Sequence, residues 1–266
     1  QHAIADKLVL SKLRERVGLD QMLLAVSGAA PVSPDALKFF ISLGLPMAEG
    51  WGMSESCLVG TLTPLEHPRP GTVGKPLPGV EVRIADDGEL LVKSAGVMRG
   101  YRNSPAQTAE AIDPDGWLHT GDVATIDQDG YVVIVDRKKE LIINAAGKNM
   151  SPTNIESAIQ VECGLIGSVI AIGDLRPYVT ALVCLDPEAS AGIDDAAALA
   201  QVEAAVERAN AGLSRVEQIK KFKIVPNTWE AGGDELTPTM KLKRKPIAEK
   251  YSDLIDELYG TDDRRK

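Results

Sequence analysis

The first sixty residues alternate between apolar positions at helical spacing and short continuous apolar runs. Residues 3–16 predict an amphipathic helix, and Leu23–Val26 predicts a strand buried on both faces. Ser33 and Pro34 predict the start of a second helix, because serine caps helices and proline suits the first turn. The apolar stripes expected on these two helices are Ile4, Leu8 and Leu13, and Leu37, Phe40 and Ile41. A further strand edge follows at residues 45–48, so this part of the chain predicts an α/β layer.

The pattern then changes to alternating apolar positions separated by proline and glycine. Residues 80–84 and 89–93 flank an Asp-Asp-Gly turn and predict one hairpin. A short helix is predicted at residues 106–112, and a second hairpin is predicted around the Gln-Asp-Gly turn at residues 128–130. Residues 67–135 are therefore expected to be rich in β-structure.

Five consecutive charged residues, 136–140, end this region, and we expect them to mark a boundary between two packed bodies. Beyond them the pattern predicts an α+β module. Its expected strands are 141–143, 167–173, 179–185 and 218–225, and its expected helices are 152–161, 195–213 and one starting at residue 246. The predicted fold class is α/β followed by α+β. Residues 1–135 form a first domain, divided into 1–66 and 67–135, and residues 136–266 form a second.

Composition and charge narrow the class of protein. The chain has 266 residues, 44% of them hydrophobic but only 4% aromatic, so the expected cores are aliphatic. Three cysteines without metal-ligand spacing favour a reduced, cytoplasmic setting. No apolar run is long enough for a membrane helix. The net charge of -9 argues against a nucleic-acid-binding protein. The first residue is Gln1 rather than methionine, which suggests a fragment or a processed product.

A glycine-rich segment with candidate nucleotide chemistry follows the second predicted strand and reads EGWGMSE at residues 49–55. Ligands of open α/β sheets bind beyond the carboxyl ends of the strands. Trp51 can offer a flat face to a base, Ser54 a hydroxyl to a phosphate, and Glu55 an oxygen ligand to Mg²⁺. A glycine-rich turn around a packed tryptophan is the alternative for this segment taken alone.

Three further segments carry polar groups that suit nucleotide chemistry. SGAAP at residues 27–31 is a run of small residues that lets a ligand approach the backbone. Asp122, in a Thr-Gly-Asp corner, can accept hydrogen bonds from a ribose diol. Lys241 lies among threonine and proline and can present an ammonium group to a phosphoryl or carboxylate oxygen. Taken alone, this segment is better interpreted as an ordinary basic surface loop.

Five segments resemble, in order, the motifs of the adenylate-forming superfamily of acyl-CoA synthetases, peptide-synthetase adenylation domains and firefly luciferase. They read SGAAP, EGWGMSE, GWLHTGD, DRKKELI with GKNMSP, and TPTMKLKRK. The segments GTVGKPLPGVEVRI and LTPTMKLKRKPI are most similar to long-chain fatty acyl-CoA synthetases. This resemblance implies a partial adenylate-forming fold: the remnant of a large α/β domain, a β-rich subdomain and a small mobile C-terminal domain.

The resemblance also implies roles for individual residues, here assigned by matching motif positions. The ATP- and AMP-binding set is Gly28, Ala29, Ala30, Trp51, Gly52, Ser54, Asp122 and Arg137. The catalytic set is Lys241, Glu55 and Ser54, with Glu55 as the metal ligand, and the hinge is Asp136. Gly147 and Lys148 match the loop that lines the CoA pantetheine tunnel. The sequence departs from the usual motif at Trp51, where relatives carry tyrosine, at Ser54, where they carry threonine, and at Ile143, where many carry a basic residue.

The implied reaction joins ATP and a fatty acid to an acyl-adenylate, with Mg²⁺ as cofactor, and then transfers the acyl group to CoA. The family's Ser/Thr/Gly-rich phosphate loop ending in Pro-Lys-Gly does not occur in these 266 residues, so we expect the isolated chain to be inactive. Two alternatives stay open: a non-catalytic module that binds a nucleotide, CoA or a partner protein, and a ligase that loads a carrier protein. Small molecules are the expected partners of a cytoplasmic protein, and peripheral membrane association stays open because the acid is lipophilic.

Overall fold

The computed structural model describes residues 2–29, 32–57, 60–144 and 147–260. The chain divides into two compact units, residues 1–139 and 140–266. None of the helices in the described ranges has the length and apolar character needed to cross a bilayer. The predicted mixture of α/β and α+β structure is confirmed.

The first unit contains most of the sheet structure. Its helices are α1 (His2–Ala5), α2 (Ser11–Arg16), α3 (Pro34–Ser42) and α4 (Pro105–Ala111), with a π-helical turn at Asp6–Leu10 and a 3-10 turn at Ser54–Ser56. Its strands are β1 (Ala25–Gly28), β2 (Met47–Trp51), β3 (Thr61–Leu62), β4 (Lys75–Pro76), β5 (Val80–Ile84), β6 (Glu89–Ser94), β7 (Leu118–Ile126) and β8 (Val132–Arg137).

Two four-stranded sheets build this unit. Strands β1 to β4 lie in sequence order, with β1 parallel to β2 and the other pairs antiparallel. Strands β5 to β8 form an antiparallel meander, as the two predicted hairpins require. A small aliphatic cluster joins the sheets: Leu90, Ala124 and Val132 are buried, and Trp51 packs against them. The end of β2 is thereby attached to the meander.

Several apolar side chains near the start of the chain are exposed, which corrects the prediction for this region. Val26 is 56% exposed and Leu23 is 91% exposed, so the expected strand buried on both faces is wrong. The reason is topological, because β1 is an edge strand that pairs only with β2. In α3 only Leu37 of the predicted stripe is fully buried, and Phe40 is 39% exposed. The positions Ile4, Leu8 and Leu13 are exposed as well.

The Thr-Gly-Asp corner lies inside a strand rather than before one. Residues 118–126 form the single strand β7, and its pairing with β8 shifts register between Val123 and Ala124. Gly121 takes a φ of 72°, a conformation that suits glycine. The expected polar corner is therefore an irregular part of β7, and this irregularity sets the direction of Asp122.

The second unit has an α+β organisation. Its strands are β9 (Ile142–Ile143), β10 (Asn149–Met150), β11 (Ile166–Ile172), β12 (Val179–Leu185) and β13 (Ile219–Ile224). Its helices are α5 (Pro152–Gln160), α6 (Asp195–Gly212), α7 (Arg244–Lys250) and α8 (Ser252–Tyr259). The central sheet has the order β11-β12-β13, with β12 antiparallel to β11 and parallel to β13. The expected last helix is divided into α7 and α8, which meet at the buried Tyr251.

Aliphatic side chains cover both faces of this central sheet. Helices α5 and α6 pack on one face through Ile155, Ile159 and Val202, each fully buried. Helices α7 and α8 cover the other face through Ile247 and Ile255. A three-stranded sheet covered by a helix layer on each face is the compact architecture expected for an α+β domain of this size.

A buried ion pair ties the ends of the second unit together. Arg244 makes two parallel bonds to Glu156, from Nη1 to Oε1 at 2.5 Å and from Nη2 to Oε2 at 2.8 Å. Its Nε also donates to Glu140 Oε2 at 3.1 Å, and Glu156 Oε1 accepts from the Ala171 amide at 2.8 Å. The pKa of Arg244 is raised, because the two carboxylates outweigh the effect of its burial. Arg244 therefore connects the first residue of the unit to α5 and β11.

Arg244→Met should destabilise the second unit selectively. The substitution leaves the Glu156 carboxylate buried without its ionic partner, a change that costs about 3–5 kcal/mol. Urea unfolding followed by hydrogen exchange should show lower protection in residues 140–260 and unchanged protection in the β5–β8 meander. The control is Arg208→Met, which removes a more exposed pair with Glu162 and should cost about 1 kcal/mol or less. Equal effects of the two substitutions would contradict this assignment.

Candidate functional site

The structure brings together three of the predicted nucleotide-binding residues. Trp51, the last residue of β2, donates from Nε1 to Asp122 Oδ2 at 2.8 Å. The Arg137 Nε lies 3.4 Å from Asp122 Oδ1, because Asp122 and Arg137 are paired across β7 and β8. Asp122 is 7% exposed, whereas the Arg137 side chain is 60% exposed. An aromatic ring, a carboxylate and a guanidinium thus form one group at the ends of two sheets.

The Trp51 ring packs against Gly60. A side chain built at Gly60 would place its Cβ 2.9 Å from Trp51 Cζ3, so the ring lies directly over the glycine. The Gly60 amide also donates to the Trp51 carbonyl at 2.8 Å. Sequence reasoning missed Gly60, since a lone glycine gives no sign of the ring that covers it. The indole is held by this packing and by its bond to Asp122.

Ser54 and Glu55 lie on the 3-10 turn that follows Gly52 and Met53. Ser54 is exposed, and Glu55 Oε1 accepts a hydrogen bond from the Tyr101 hydroxyl at 2.9 Å. The Glu55 carbonyl also accepts from the Met98 amide at 2.8 Å. The pKa of Tyr101 is raised, first because Glu55 accepts a hydrogen bond from the neutral hydroxyl and then because of partial burial. Tyr101 is therefore a neighbour of the predicted metal ligand that the sequence reasoning did not identify.

The predicted small-residue loop follows the edge strand β1. A Cβ at Gly28 would lie 2.7 Å from the Gly50 carbonyl oxygen, so a larger residue does not fit at this end of the β1–β2 pair. Ala29 has a φ of 64°, in the left-handed region. Ala30 lies outside the described residues. Gly28 and Gly50 are partners in the parallel register, so β1 and β2 bring these two glycines to the same end of the sheet.

Lys241 lies in the second unit, in a turn closed by its own hydrogen bonds. The Thr237 amide donates to the Lys241 carbonyl at 2.8 Å, and the Lys241 amide donates to Thr237 Oγ1 at 3.0 Å. Met240 takes a φ of 63° at the tip. Lys243 holds the base of the turn, with its amide on the Glu235 carbonyl at 2.7 Å. The exposed Lys241 side chain is thus presented by an ordered turn.

The remaining predicted residues occupy separate places in the chain. Asp136 is 6% exposed in β8, and one of its oxygens accepts from the Arg137 amide at 2.7 Å. The division into units falls after Lys139, and the hinge role of Asp136 stays a prediction. Gly147, with a φ of 78°, and Lys148 are exposed in the turn between β9 and β10.

A magnesium ion at this site would be bound by Glu55 together with the phosphates of a nucleotide. In the described ranges no group of three or more histidine, cysteine or acidic side chains is arranged to hold a metal. Magnesium in nucleotide sites is usually bound by one or two carboxylates, water and substrate phosphates. A single Glu55 beside the Ser54 hydroxyl fits that donor set.

Comparison with known proteins identifies relatives for nearly the whole chain. The model of the AMP-binding enzyme family matches residues 3–102, and the model of the AMP-binding enzyme C-terminal domain matches residues 139–263. The candidate fatty-acid–CoA ligase fadD11 of Mycobacterium tuberculosis is 56% identical over 98% of this chain and 48% of its own length. The long-chain-fatty-acid–CoA ligase FadD15 of Mycobacterium bovis is 40% identical over 98% of this chain and 46% of its own length.

A solved structure supports the same likeness. ATP-bound MatB from Rhodopseudomonas palustris superposes with a TM-score of 0.68 and 30% identity, covering 91% of this chain and 47% of that protein. The chain therefore spans about half the length of the relatives it matches.

The bond between Trp51 and Asp122 should appear as a coupling energy. In a double-mutant cycle of Trp51→Phe and Asp122→Ala, the coupling should be about 1.5–3 kcal/mol, as expected for a hydrogen bond to a charged acceptor. The measurement is the free energy of unfolding in urea. A cycle with Trp117→Phe in place of Trp51→Phe serves as the control. Additive effects of Trp51→Phe and Asp122→Ala would show that the two side chains do not interact.

The contact between Tyr101 and Glu55 should appear in the titration of the phenol. Tyr101 should titrate above the ordinary tyrosine pKa of 10.0, and Glu55→Gln should lower the pKa towards that value because the carboxylate is lost. NMR of ¹³Cζ-labelled tyrosine from about pH 9 to about pH 12 measures it. Glu66→Gln is the control. A Tyr101 pKa that does not change in Glu55→Gln would exclude this contact.

Proposed function

Because this chain belongs to the AMP-binding enzyme family, we propose that it carries the nucleotide site and the C-terminal lysine of an AMP-forming fatty acid:CoA ligase. The observation that carries the proposal is the group of Trp51, Asp122 and Arg137, in which the Trp51 and Arg137 side chains both contact the Asp122 carboxylate. Two relatives bearing the name fatty-acid–CoA ligase support the choice of substrates. ATP, a fatty acid and CoA are the proposed substrates.

The first unit would bind the nucleotide. The Trp51 ring would stack on adenine, and Asp122 would accept hydrogen bonds from the ribose hydroxyls. The Arg137 guanidinium, 3.4 Å from Asp122 Oδ1, would orient that carboxylate. Gly28, Ala29 and Ala30 would line the junction of adenine and the acyl group, and Gly52 would leave room for the backbone to approach the nucleotide.

The chemical step joins two anions, so positive charge has to be supplied where they meet. The fatty-acid carboxylate attacks the α-phosphate of ATP, the bond to pyrophosphate breaks, and an acyl-adenylate results. The Lys241 ammonium would lie between the α-phosphate and the carboxylate, and Ser54 would donate to a phosphate oxygen. When bound at Glu55, Mg²⁺ would neutralise phosphate charge. No side-chain nucleophile is needed for this step.

The second half-reaction needs other groups. The CoA thiolate attacks the acyl carbonyl, and AMP leaves. We propose that rotation about a hinge at Asp136 exchanges the Lys241 turn for the loop at Gly147 and Lys148, which would line the path of the pantetheine arm. The ordered hydrogen bonds of the Lys241 turn support this, because a turn that keeps its shape can be moved as a unit.

Two alternatives lead to different products. A ligase that loads a carrier protein would transfer the acyl group to a protein thiol and leave CoA unmodified. A non-catalytic module would bind AMP or CoA without releasing pyrophosphate. For the 266-residue chain on its own we expect no turnover, because it contains no Ser/Thr/Gly-rich loop ending in Pro-Lys-Gly.

The test uses the complete gene product that contains these residues, supplied with ATP, Mg²⁺ and palmitate. Lys241→Ala should lower pyrophosphate release about 100-fold or more, the size typical of a lost transition-state charge contact. It should spare thioester formation from added palmitoyl-adenylate and CoA. Lys245→Ala, an exposed lysine four residues away, is the control and should affect neither step. Equal loss of both steps in Lys241→Ala would remove the lysine from the proposed role.

A further inference from the structure

Glu89 is a buried carboxylate that has no role in the proposed chemistry. It is the first residue of β6, directly after the Asp-Gly turn, and only 6% of its surface is exposed. The pairing of β6 with β7 shifts register between Glu89 and Leu91. An acidic side chain is rarely buried unless it has partners, so its contacts indicate what it does.

The Glu89 carboxylate joins two segments that are distant in sequence. Its Oε1 accepts from the Gly121 amide at 2.8 Å, and its Oε2 lies 3.2 Å from Lys138 Nζ and 3.2 Å from His119 Nδ1. Lys138 Nζ also bonds to Asp87 Oδ2 at 2.5 Å. The Lys138 amide donates in turn to the Gly121 carbonyl at 2.8 Å. Glu89, Gly121 and Lys138 thus form a closed triangle of hydrogen bonds.

These contacts keep the carboxylate ionised. Burial on its own raises the pKa of Glu89, but the Gly121 amide, His119 and Lys138 together lower it below the ordinary value. The 2.8 Å bond from the Gly121 amide is as short as charge-assisted hydrogen bonds usually are, and such bonds are stronger than those between neutral groups. The triangle is therefore a strong local constraint on the backbone at Gly121.

The position of Gly121 determines the direction of Asp122. Gly121 is the glycine with a φ of 72° inside β7, and Asp122 is the next residue. Thr120 assists on the other side, since its hydroxyl donates to the Leu90 carbonyl at 2.7 Å and accepts from the Asp122 amide at 3.1 Å. Glycine can take several backbone conformations, and these hydrogen bonds hold Gly121 in one of them.

We propose that Glu89 is a positioning residue that fixes the Asp122 carboxylate by holding the Gly121 amide and the Lys138 ammonium group. The part of the inference that concerns ligand binding rests on the proposed function, because Asp122 is the residue proposed to bind the ribose. Glu89 acts through Gly121 and does not itself touch the nucleotide.

The test compares Glu89→Gln with Glu81→Gln in the 266-residue chain. The Gly121 amide and Lys138 use different oxygens of Glu89. Glutamine replaces one of these oxygens with an NH₂ group, which only donates, so one of the two donors loses its acceptor. Glu81 is an exposed acid on the neighbouring strand β5 and serves as the matched control. Two quantities are measured: the NMR resonance of the Trp51 indole N–H, which is bonded to Asp122, and the affinity for AMP. Trp51→Phe assigns the resonance among the three tryptophans.

In Glu89→Gln the Trp51 indole resonance should shift, and AMP affinity should fall about tenfold, as for one lost charge-assisted hydrogen bond. Glu81→Gln should change neither. A folded Glu89→Gln chain with the unshifted Trp51 resonance would overturn the inference, even if its stability is lower, because that combination indicates a role in folding alone.

Two further outcomes are covered by the same design. If the unsubstituted chain does not bind AMP, the proposed nucleotide function fails, and the positioning role is decided by the Trp51 resonance alone. If Glu89→Gln does not fold, Lys138→Met tests the positioning role instead. This substitution removes the ammonium group that bonds to Glu89 and keeps the bond between Glu89 and Gly121. A shifted Trp51 resonance in Lys138→Met supports the inference, and an unshifted one overturns it.

Discussion

The hydrogen bond from the Trp51 indole to the Asp122 carboxylate is the contact on which the candidate site depends. It joins the end of a parallel strand pair to a strand of a separate antiparallel meander, across 71 positions of sequence. Both residues are held by their surroundings, Trp51 by its packing over Gly60 and Asp122 by the irregular backbone of β7. In the proposed nucleotide site, the ring that would stack on the base and the carboxylate that would bind the ribose need a fixed separation. The bond between Trp51 and Asp122 supplies that constraint.

The local pattern was sufficient to predict most of the elements. Alternation and Asp-Gly turns predicted the two hairpins of the meander, and Ser-Pro pairs predicted the starts of α3 and α5. Burial was harder to predict where it depends on topology. The run Leu23–Val26 is as apolar as a central strand, yet β1 lies at an edge and Val26 is exposed. A sequence pattern reports what a segment can bury, and the neighbours of the segment decide what it does bury.

The residues of the site also divide into those that the local sequence predicted and those that depend on distant contacts. Trp51, Glu55 and Asp122 could be proposed from the sequence because each belongs to a motif. Tyr101 and Glu89 could not, because their importance comes from partners 46 and 32 positions away. Gly60 gave no signal of its own, since it is covered by a ring. The Thr-Gly-Asp motif contains Gly121, but it did not show that this glycine takes a positive φ inside a strand. Long-range contacts of this kind become visible only once the sheets are assembled.

The most direct test of the central claim is the affinity of the 266-residue chain for AMP and for 2′,3′-dideoxy-AMP, measured by calorimetry. If Asp122, oriented by Trp51 and Arg137, accepts hydrogen bonds from the ribose diol, AMP should bind about tenfold or more tightly, and Asp122→Asn should remove most of the difference. Equal affinity of the unsubstituted chain for the two nucleotides would contradict the account.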